Sequence, residues 1–171
     1  LVRLEYAEDG RFEDRPSQLV GTLPARTTSF ESTIDDAFVV IETGALTLRY
    51  TVDSGPFTTT NLVFDVRHSD AEIEARPTWG PLARDAETLG GWLRGLDLVG
   101  GREDLEPGLL SRRGWTLLDD STTVLLVDEE PGYVPRPERE GAYQDGYFFG
   151  YGTDFRRALS DLRHLVGPAP L

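Results

Sequence analysis

The sequence predicts a mainly β protein, a β-sandwich with one α-helix near its C-terminus. Many short runs alternate apolar and polar side chains, turn residues separate these runs, and one amphipathic helical pattern occurs close to the end. The chain has 171 residues, which is enough for one domain with a substantial core. We therefore expect a sandwich over 1–152, followed over 153–171 by a helix and a linker.

Most of the strand patterns lie in the first half of the chain. The clearest is a hairpin in which two strand-length runs flank the Gly-containing turn 43–45. Its second strand should direct Leu46, Leu48, Tyr50 and Val52 to one face of the sheet. The predicted strands in this half are 1–6, 18–23, 27–34, 38–42, 46–52, 62–66 and 71–75.

A second hairpin is predicted in the second half, within 109–127. Strands over 115–118 and 122–127 would be joined by the short polar turn 119–121. The proline-containing stretch 128–144 is predicted to be a surface loop, and an aromatic strand follows over 145–152.

One helix is predicted, over 154–165. Thr153 is the expected N-cap, and Gly167 followed by Pro168 should end the helix. The apolar residues fall at spacings of three and four and form one face, which consists of Phe155, Ala158, Leu159, Leu162 and Leu165.

The composition excludes several classes of function. The 17 Lys and Arg against 30 Asp and Glu give a formal net charge of −13, which makes nucleic acid an unsuitable partner. We find no apolar run of membrane-spanning length and no signal-peptide pattern, so we expect no membrane association and a cytoplasmic rather than a secreted protein. Cysteine is absent, which excludes disulfides and thiolate catalysis.

No set of residues suggests catalysis or metal binding. His68 and His164 are far apart, and neither has a second histidine at ligand spacing, so we expect no metal and no cofactor. Carboxylates cluster at 103–106, 119–120 and 128–130, but adjacent acids on a turn usually point apart. We therefore interpret these clusters as solvated acidic surface.

Two long segments of the second half are similar to glycoside hydrolase family 31, which contains α-glucosidases and α-xylosidases. The first segment comprises 90–97, 105–115 and 118–121, and it includes the run Leu-Leu-Ser-Arg-Arg-Gly-Trp at 109–115. The second comprises 145–155 and the residues after the predicted helix, 165–171. Looser similarity at 3–6, 12–16 and 41–64 extends the resemblance over nearly the whole chain.

The resemblance implies an N-terminal β-sandwich of galactose-mutarotase-like type, followed by a (β/α)8 barrel that carries both catalytic aspartates of a retaining enzyme. The family's nucleophile motif has no counterpart here, and the chain lacks an initiator Met. We therefore expect an N-terminal domain that is inactive alone. Its implied partners are the barrel of the same polypeptide and, in the whole enzyme, an α-glucoside or α-xyloside.

In this family a loop of the N-terminal domain can reach the mouth of the barrel. The stretch 91–114 is the candidate loop, and the resemblance leads us to expect Asp97, Arg112 and Trp115 at the rim of the substrate site. The alternative interpretation is that Trp115 belongs to the core and that Arg112 pairs with a carboxylate.

Two other functions stay open. A free-standing carbohydrate-binding module would use exposed aromatics in a row on one sheet face, although aromatic residues in strands more often form the core. A structural or interaction domain would carry an apolar docking patch, expected near the final helix and Phe148-Phe149.

Overall fold

The computed structural model describes residues 1–21, 28–67, 73–80, 88–91, 100–101 and 108–167, and ten strands and one helix occur within this part of the chain. In chain order they are β1 (Val2–Ala7), β2 (Glu31–Ile34), β3 (Phe38–Glu42), β4 (Leu46–Thr51), β5 (Leu62–Arg67), β6 (Ile73–Ala75), β7 (Trp115–Asp119), β8 (Leu125–Leu126), β9 (Tyr133–Val134), β10 (Tyr143–Gly150) and α1 (Phe155–Val166). The predicted mainly β class with a C-terminal helix is confirmed.

Two antiparallel sheets pack against each other. One has the order β1-β10-β7 and the other β2-β3-β4-β5-β6, while β8 and β9 form a separate pair. Phe64 of β5 and Phe148 of β10 are fully buried between the sheets, with their rings stacked 3.7 Å apart at an interplanar angle of 2°. Apolar side chains from both sheets surround this pair and form the first core.

The second core lies on the opposite face of the three-stranded sheet. Side chains alternate along β10, so Tyr147 and Phe149 point away from Phe148 and toward the helix. Ala158 and Leu165 of α1 are buried against them. The three-stranded sheet is thus covered on both faces, which explains why five of the last six residues of β10 are apolar or glycine.

The predicted hairpin within 109–127 is wrong. Strand β7 pairs with β10, in the register Trp115↔Gly150, whereas β8 pairs with β9. The physical reason lies at the predicted turn 119–121. The amide of Asp120 donates a hydrogen bond to the carbonyl of Asp145 at 2.8 Å, so the backbone after β7 still runs beside β10 and does not reverse there to pair with β7. The predicted surface loop 128–144 accordingly contains β9.

Other predicted elements need smaller corrections. The hairpin of β3 and β4 is confirmed, with Leu46 and Leu48 buried in the first core. No strand forms over 18–21, because the backbone there folds back on itself through a hydrogen bond from the amide of Ser17 to the carbonyl of Val20. The predicted strand 27–34 is shorter, since β2 begins at Glu31.

The N-cap of α1 is Asp154 rather than Thr153. The Asp154 carboxylate accepts a hydrogen bond from the amide of Arg157 at 3.2 Å. Leu159, which was expected on the buried face, is 51 % exposed. No helix in the described ranges is long and apolar enough to cross a membrane.

Candidate functional site

The two segments that carry the family resemblance meet at the end of β10. The amide of Tyr151 donates to the carbonyl of Gly114 at 2.9 Å, directly beyond the last residue pair of the β7–β10 ladder. The amide of Asp154 then bonds to the carbonyl of Tyr151 at 3.0 Å and leads the chain into α1. Residues 109–115 and 145–155 therefore form one structural unit, the motif junction.

Gly114 occupies a position in this junction that only glycine fits. Its φ of +71° lies in the left-handed region, and a Cβ atom there would lie 1.6 Å from the carbonyl oxygen of Gly152. This contact involves backbone on both sides, so no side-chain rotation could relieve it. The close approach of Gly114 and Gly152 explains why glycine stands in each segment.

A second contact anchors the start of the segment 108–115. The hydroxyl of Thr88 accepts hydrogen bonds from the amides of Gly108 at 3.0 Å and Gly90 at 3.3 Å. The amide of Leu89 donates to the carbonyl of Leu110, whose side chain is 1 % exposed in the second core. The segment is held at both ends, by 88–90 and by the end of β10.

The residues between these anchors form a tight turn with an exposed tip. The amide of Ser111 donates to the carbonyl of Trp115 at 3.0 Å, and the Ser111 hydroxyl accepts from the amide of Trp115 at 3.2 Å. Arg112 and Arg113 lie at the tip and are exposed. The guanidinium of Arg112 contacts the carbonyl of Thr88 at 3.4 Å, and none of the described carboxylates lies within salt-bridge distance of it.

The other two predicted rim residues differ in their surroundings. Trp115 is half-buried and packs against the first core, with its ring 6.2 Å from that of Phe148. Asp97 lies outside the described residues, as does His68. The described structure thus places Arg112 at an exposed tip and Trp115 at the edge of the core, and the rim assignment of all three residues stays a prediction.

Sequence reasoning missed a buried ion-pair network on the sheet face that also carries the second core. Asp145 of β10 accepts hydrogen bonds at 3.0 Å from both Nε and Nη2 of Arg3. Nη2 of Arg136 donates to the carboxylate of Asp145 at 3.3 Å and to the carboxylate of Asp120 at 3.0 Å, and so bridges the two residues. Asp120 is only 1 % exposed, and its carboxylate also accepts a hydrogen bond from the Ser17 hydroxyl. The prediction that the acidic cluster 119–120 is solvated surface is therefore wrong for Asp120.

The available signal was a charged residue inside an apolar strand. Asp145 precedes a run of buried aromatics, and a carboxylate in such a place is almost always paired. The identity of its partner could not be read from the sequence, because Arg3 lies 142 positions away.

Tyr143 is part of the same network. Its hydroxyl donates to Glu5 at 2.8 Å and accepts from Arg136 at 2.9 Å, and the guanidinium of Arg139 lies 4.1 Å from the centre of its ring. Burial, together with the hydrogen bond to Glu5, raises the pKa of Tyr143 above its ordinary value. The hydroxyl therefore stays protonated at neutral pH and acts as a donor.

The network neutralises its carboxylates rather than activating them. A hydrogen bond from the Arg15 side chain lowers the pKa of Glu13 to about 2, so Glu13 is ionised at neutral pH. Asp120 and Asp145 are both bound by arginine. A glycosidase needs one carboxyl that retains its proton near neutral pH and a second that faces it across the sugar. In this cluster Glu13, Asp120 and Asp145 are instead each held by an arginine.

The remaining chemical groups give no catalytic arrangement in the described ranges. His164 is exposed, and its Nδ1 lies 2.6 Å from the carbonyl of Ser160 in the preceding turn. No group of three or more potential ligands among the described residues could hold a metal ion. The aromatic residues Tyr147, Phe148 and Phe149 belong to the two cores, as expected for aromatics in a strand.

Neither the protein-family models nor the curated proteins that we searched gave a match to this chain.

Proposed function

We propose that this chain is the N-terminal domain of a retaining α-glycosidase of glycoside hydrolase family 31, a galactose-mutarotase-like sandwich that supports the catalytic barrel. The observation that carries the proposal is the motif junction. The runs 109–115 and 145–155 of these two segments are separated by 29 residues in sequence, yet they form one unit in which Gly114 lies against Gly152. A chance resemblance would not be expected to fall on the positions that hold this junction together.

The ionic cluster supports the part of the proposal that concerns activity. The carboxylates of the buried ion-pair network are bound by arginines. The described part of the domain therefore offers no pair of carboxyl groups arranged as the acid/base and nucleophile of a glycosidase. In the proposed enzyme both catalytic aspartates belong to the barrel. The domain contributes support and, through the turn that carries Arg112, a contact at the rim of the substrate site.

The helix offers an apolar surface for the barrel. Leu159 and Val166 are 51 % and 43 % exposed, and their spacing of seven places them on one side of α1. Phe148 and Phe149, near which the docking patch is expected, are fully buried and cannot form its surface themselves. The proposed contact with the barrel is therefore limited to the helix.

The test compares the 171-residue chain with the polypeptide encoded by its full gene. We expect the chain alone to release no nitrophenol from 4-nitrophenyl α-glucoside or α-xyloside, and the full polypeptide to hydrolyse one of them with retention of configuration. Hydrolysis by the chain alone, or a gene that encodes no barrel, would overturn the proposal.

Two pairs of variants in the full polypeptide test the individual contacts. Leu159→Asp should lower the thermal stability of the assembled enzyme more than it lowers that of the isolated chain, while Ser160→Asp, on an exposed position of the same helix, should affect both alike. Arg112→Ala should raise KM, with Arg113→Ala as its neighbouring exposed control. Equal effects within a pair would contradict the corresponding contact.

A further inference from the structure

A cleft of about 230 Å³ opens beside the buried network, between the outer face of the three-stranded sheet and the chain that follows β1. Its walls combine charged, aromatic and apolar side chains. The lining residues are Arg3, Asp14, Arg15, Pro16, Val20, Gly21 and Tyr147.

Both arginines of the cleft bind their carboxylates in the same way. Arg3 uses Nε and Nη2 for Asp145, and Arg15 uses Nε and Nη2 for Glu13 at 2.8 Å each. The Nη1 amino group of each arginine has no hydrogen-bond acceptor among the described residues. The forks fix the two guanidinium planes, so two oriented donor groups remain available to a ligand.

Tyr147 adds a third polar group. The residue is 3 % exposed, yet its hydroxyl has no hydrogen-bond partner in the described part of the chain. Tyr147 lines the cleft, so its hydroxyl is a candidate polar contact for a ligand there. Burial raises the pKa of Tyr147 to about 12, which leaves the hydroxyl protonated and able both to donate and to accept.

The charge around the cleft disfavours an anionic ligand. Arg3 and Arg15 are neutralised by Asp145 and Glu13, and Asp14 adds a further carboxylate 3.9 Å from Nη1 of Arg3. Asp14 is exposed at the rim and is free to accept a hydrogen bond from a ligand. The net charge of −13 on the whole chain acts in the same direction.

We propose that this cleft binds a neutral, hydroxyl-rich ring, the chemical class of a monosaccharide unit. Hydroxyl oxygens of the sugar accept hydrogen bonds from Nη1 of Arg3 and of Arg15, and a further sugar hydroxyl bonds with the Tyr147 hydroxyl. One sugar hydroxyl donates a hydrogen bond to the Asp14 carboxylate. The apolar side of the ring packs on Pro16 and Val20. Apart from Tyr147, the lining residues lie outside the motif junction, and the proposal does not depend on the function proposed above.

The probe is methyl α-glucopyranoside, titrated into the 171-residue chain and followed by the amide chemical shifts of Val20, Gly21 and residue 147. We expect saturable shifts at these amides. Tyr147→Phe removes one hydrogen bond while keeping the ring, and should weaken binding about fivefold. Arg15→Ala should weaken it by about as much or more, since it removes a charge-assisted donor.

Two control variants remove the same groups elsewhere. Tyr50→Phe deletes a partly buried hydroxyl in the other sheet, and Arg76→Ala deletes an exposed arginine that pairs with Asp65. Both should bind the sugar as the unchanged chain does. The proposal is overturned if the sugar causes no saturable shift, if the shifts map elsewhere, or if the Tyr147 and Arg15 variants bind as tightly as the controls. Tighter binding of inorganic phosphate at the same amides would also overturn it, because that would define an anion site.

Discussion

Arg3 and Asp145 form a two-pronged ion pair across neighbouring strands, with both nitrogen–oxygen distances at 3.0 Å. The pair joins β1 to β10, the first and last strands of the described residues, and Asp145 is fully buried beneath it. Arg136 closes the arrangement from the other side by contacting both Asp145 and Asp120. Buried charges are tolerated only when paired in this way, so the network makes the positions of several loops depend on each other.

Asp145→Asn should destabilise the protein strongly. The substitution removes the buried carboxylate charge that Arg3 and Arg136 share, and removing one partner of a buried pair costs about 3 kcal/mol or more. Urea denaturation measures the change in the free energy of unfolding. Asp36→Asn is the control, because Asp36 is exposed, and its effect should stay within about 0.5 kcal/mol. Similar midpoints for the two variants would mean that the network contributes nothing to stability.

Gly114→Ala should disrupt the motif junction. The left-handed backbone costs a residue with a Cβ about 1 to 2 kcal/mol, and the clash with the Gly152 carbonyl adds to that cost. Gly44→Ala provides the matched control, since its Cβ would meet nothing within 4 Å and its backbone is not left-handed. Thermal unfolding should show a large drop for the first variant and almost none for the second. A stable Gly114→Ala protein would show that the two segments are not tightly joined.

Glu13 should make stability depend on pH in the acid range. Its pKa is lowered from 4.5 to about 2 in the folded protein, chiefly by the Arg15 side chain. A lowered carboxyl pKa stabilises the folded state above the unfolded pKa, so this contribution is complete above about pH 5 and disappears as the pH falls from 4.5 toward 2. The stability difference between the unchanged chain and Glu13→Gln should shrink over that window. Glu129→Gln, which removes one carboxylate at an exposed position, is the control. A difference that is independent of pH would contradict the role of the Glu13 carboxylate.

The first turn of α1 distinguishes two candidate caps. Asp154→Ala should lower the free energy of unfolding by about 1 kcal/mol, because the Asp154 carboxylate accepts a hydrogen bond from the amide of Arg157. Thr153→Ala should change the free energy of unfolding little, as the Thr153 side chain makes no hydrogen bond in the described structure. Chemical denaturation of both variants provides the comparison, and the opposite order would restore Thr153 as the cap.

Local patterns were sufficient for several elements. The hairpin of β3 and β4 follows from alternating side chains around a Gly-containing turn, and α1 follows from its apolar spacing and from Gly167 at its end. The shift of the cap by one residue reflects a competition between two adjacent residues that both favour caps, which the sequence could not decide.

The failed hairpin shows where local reasoning ends. Thr122 to Val127 has the composition of a strand, but β7 finds its partner in β10, and only Leu125–Leu126 pairs, with β9. The amino-acid composition of a segment indicates that it can form a strand, but it does not indicate which other strand it pairs with.

By itself the sequence determined the mainly β class, the terminal helix and the segments on which the proposed function rests, because each depends on neighbouring residues. The tertiary structure alone decided that Phe64 stacks on Phe148, that Arg3 meets Asp145 and that Gly114 lies against Gly152. The physical reason is that these contacts join distant positions. Their free energy comes from packing, desolvation and charge pairing, which arise only when the sheets come together.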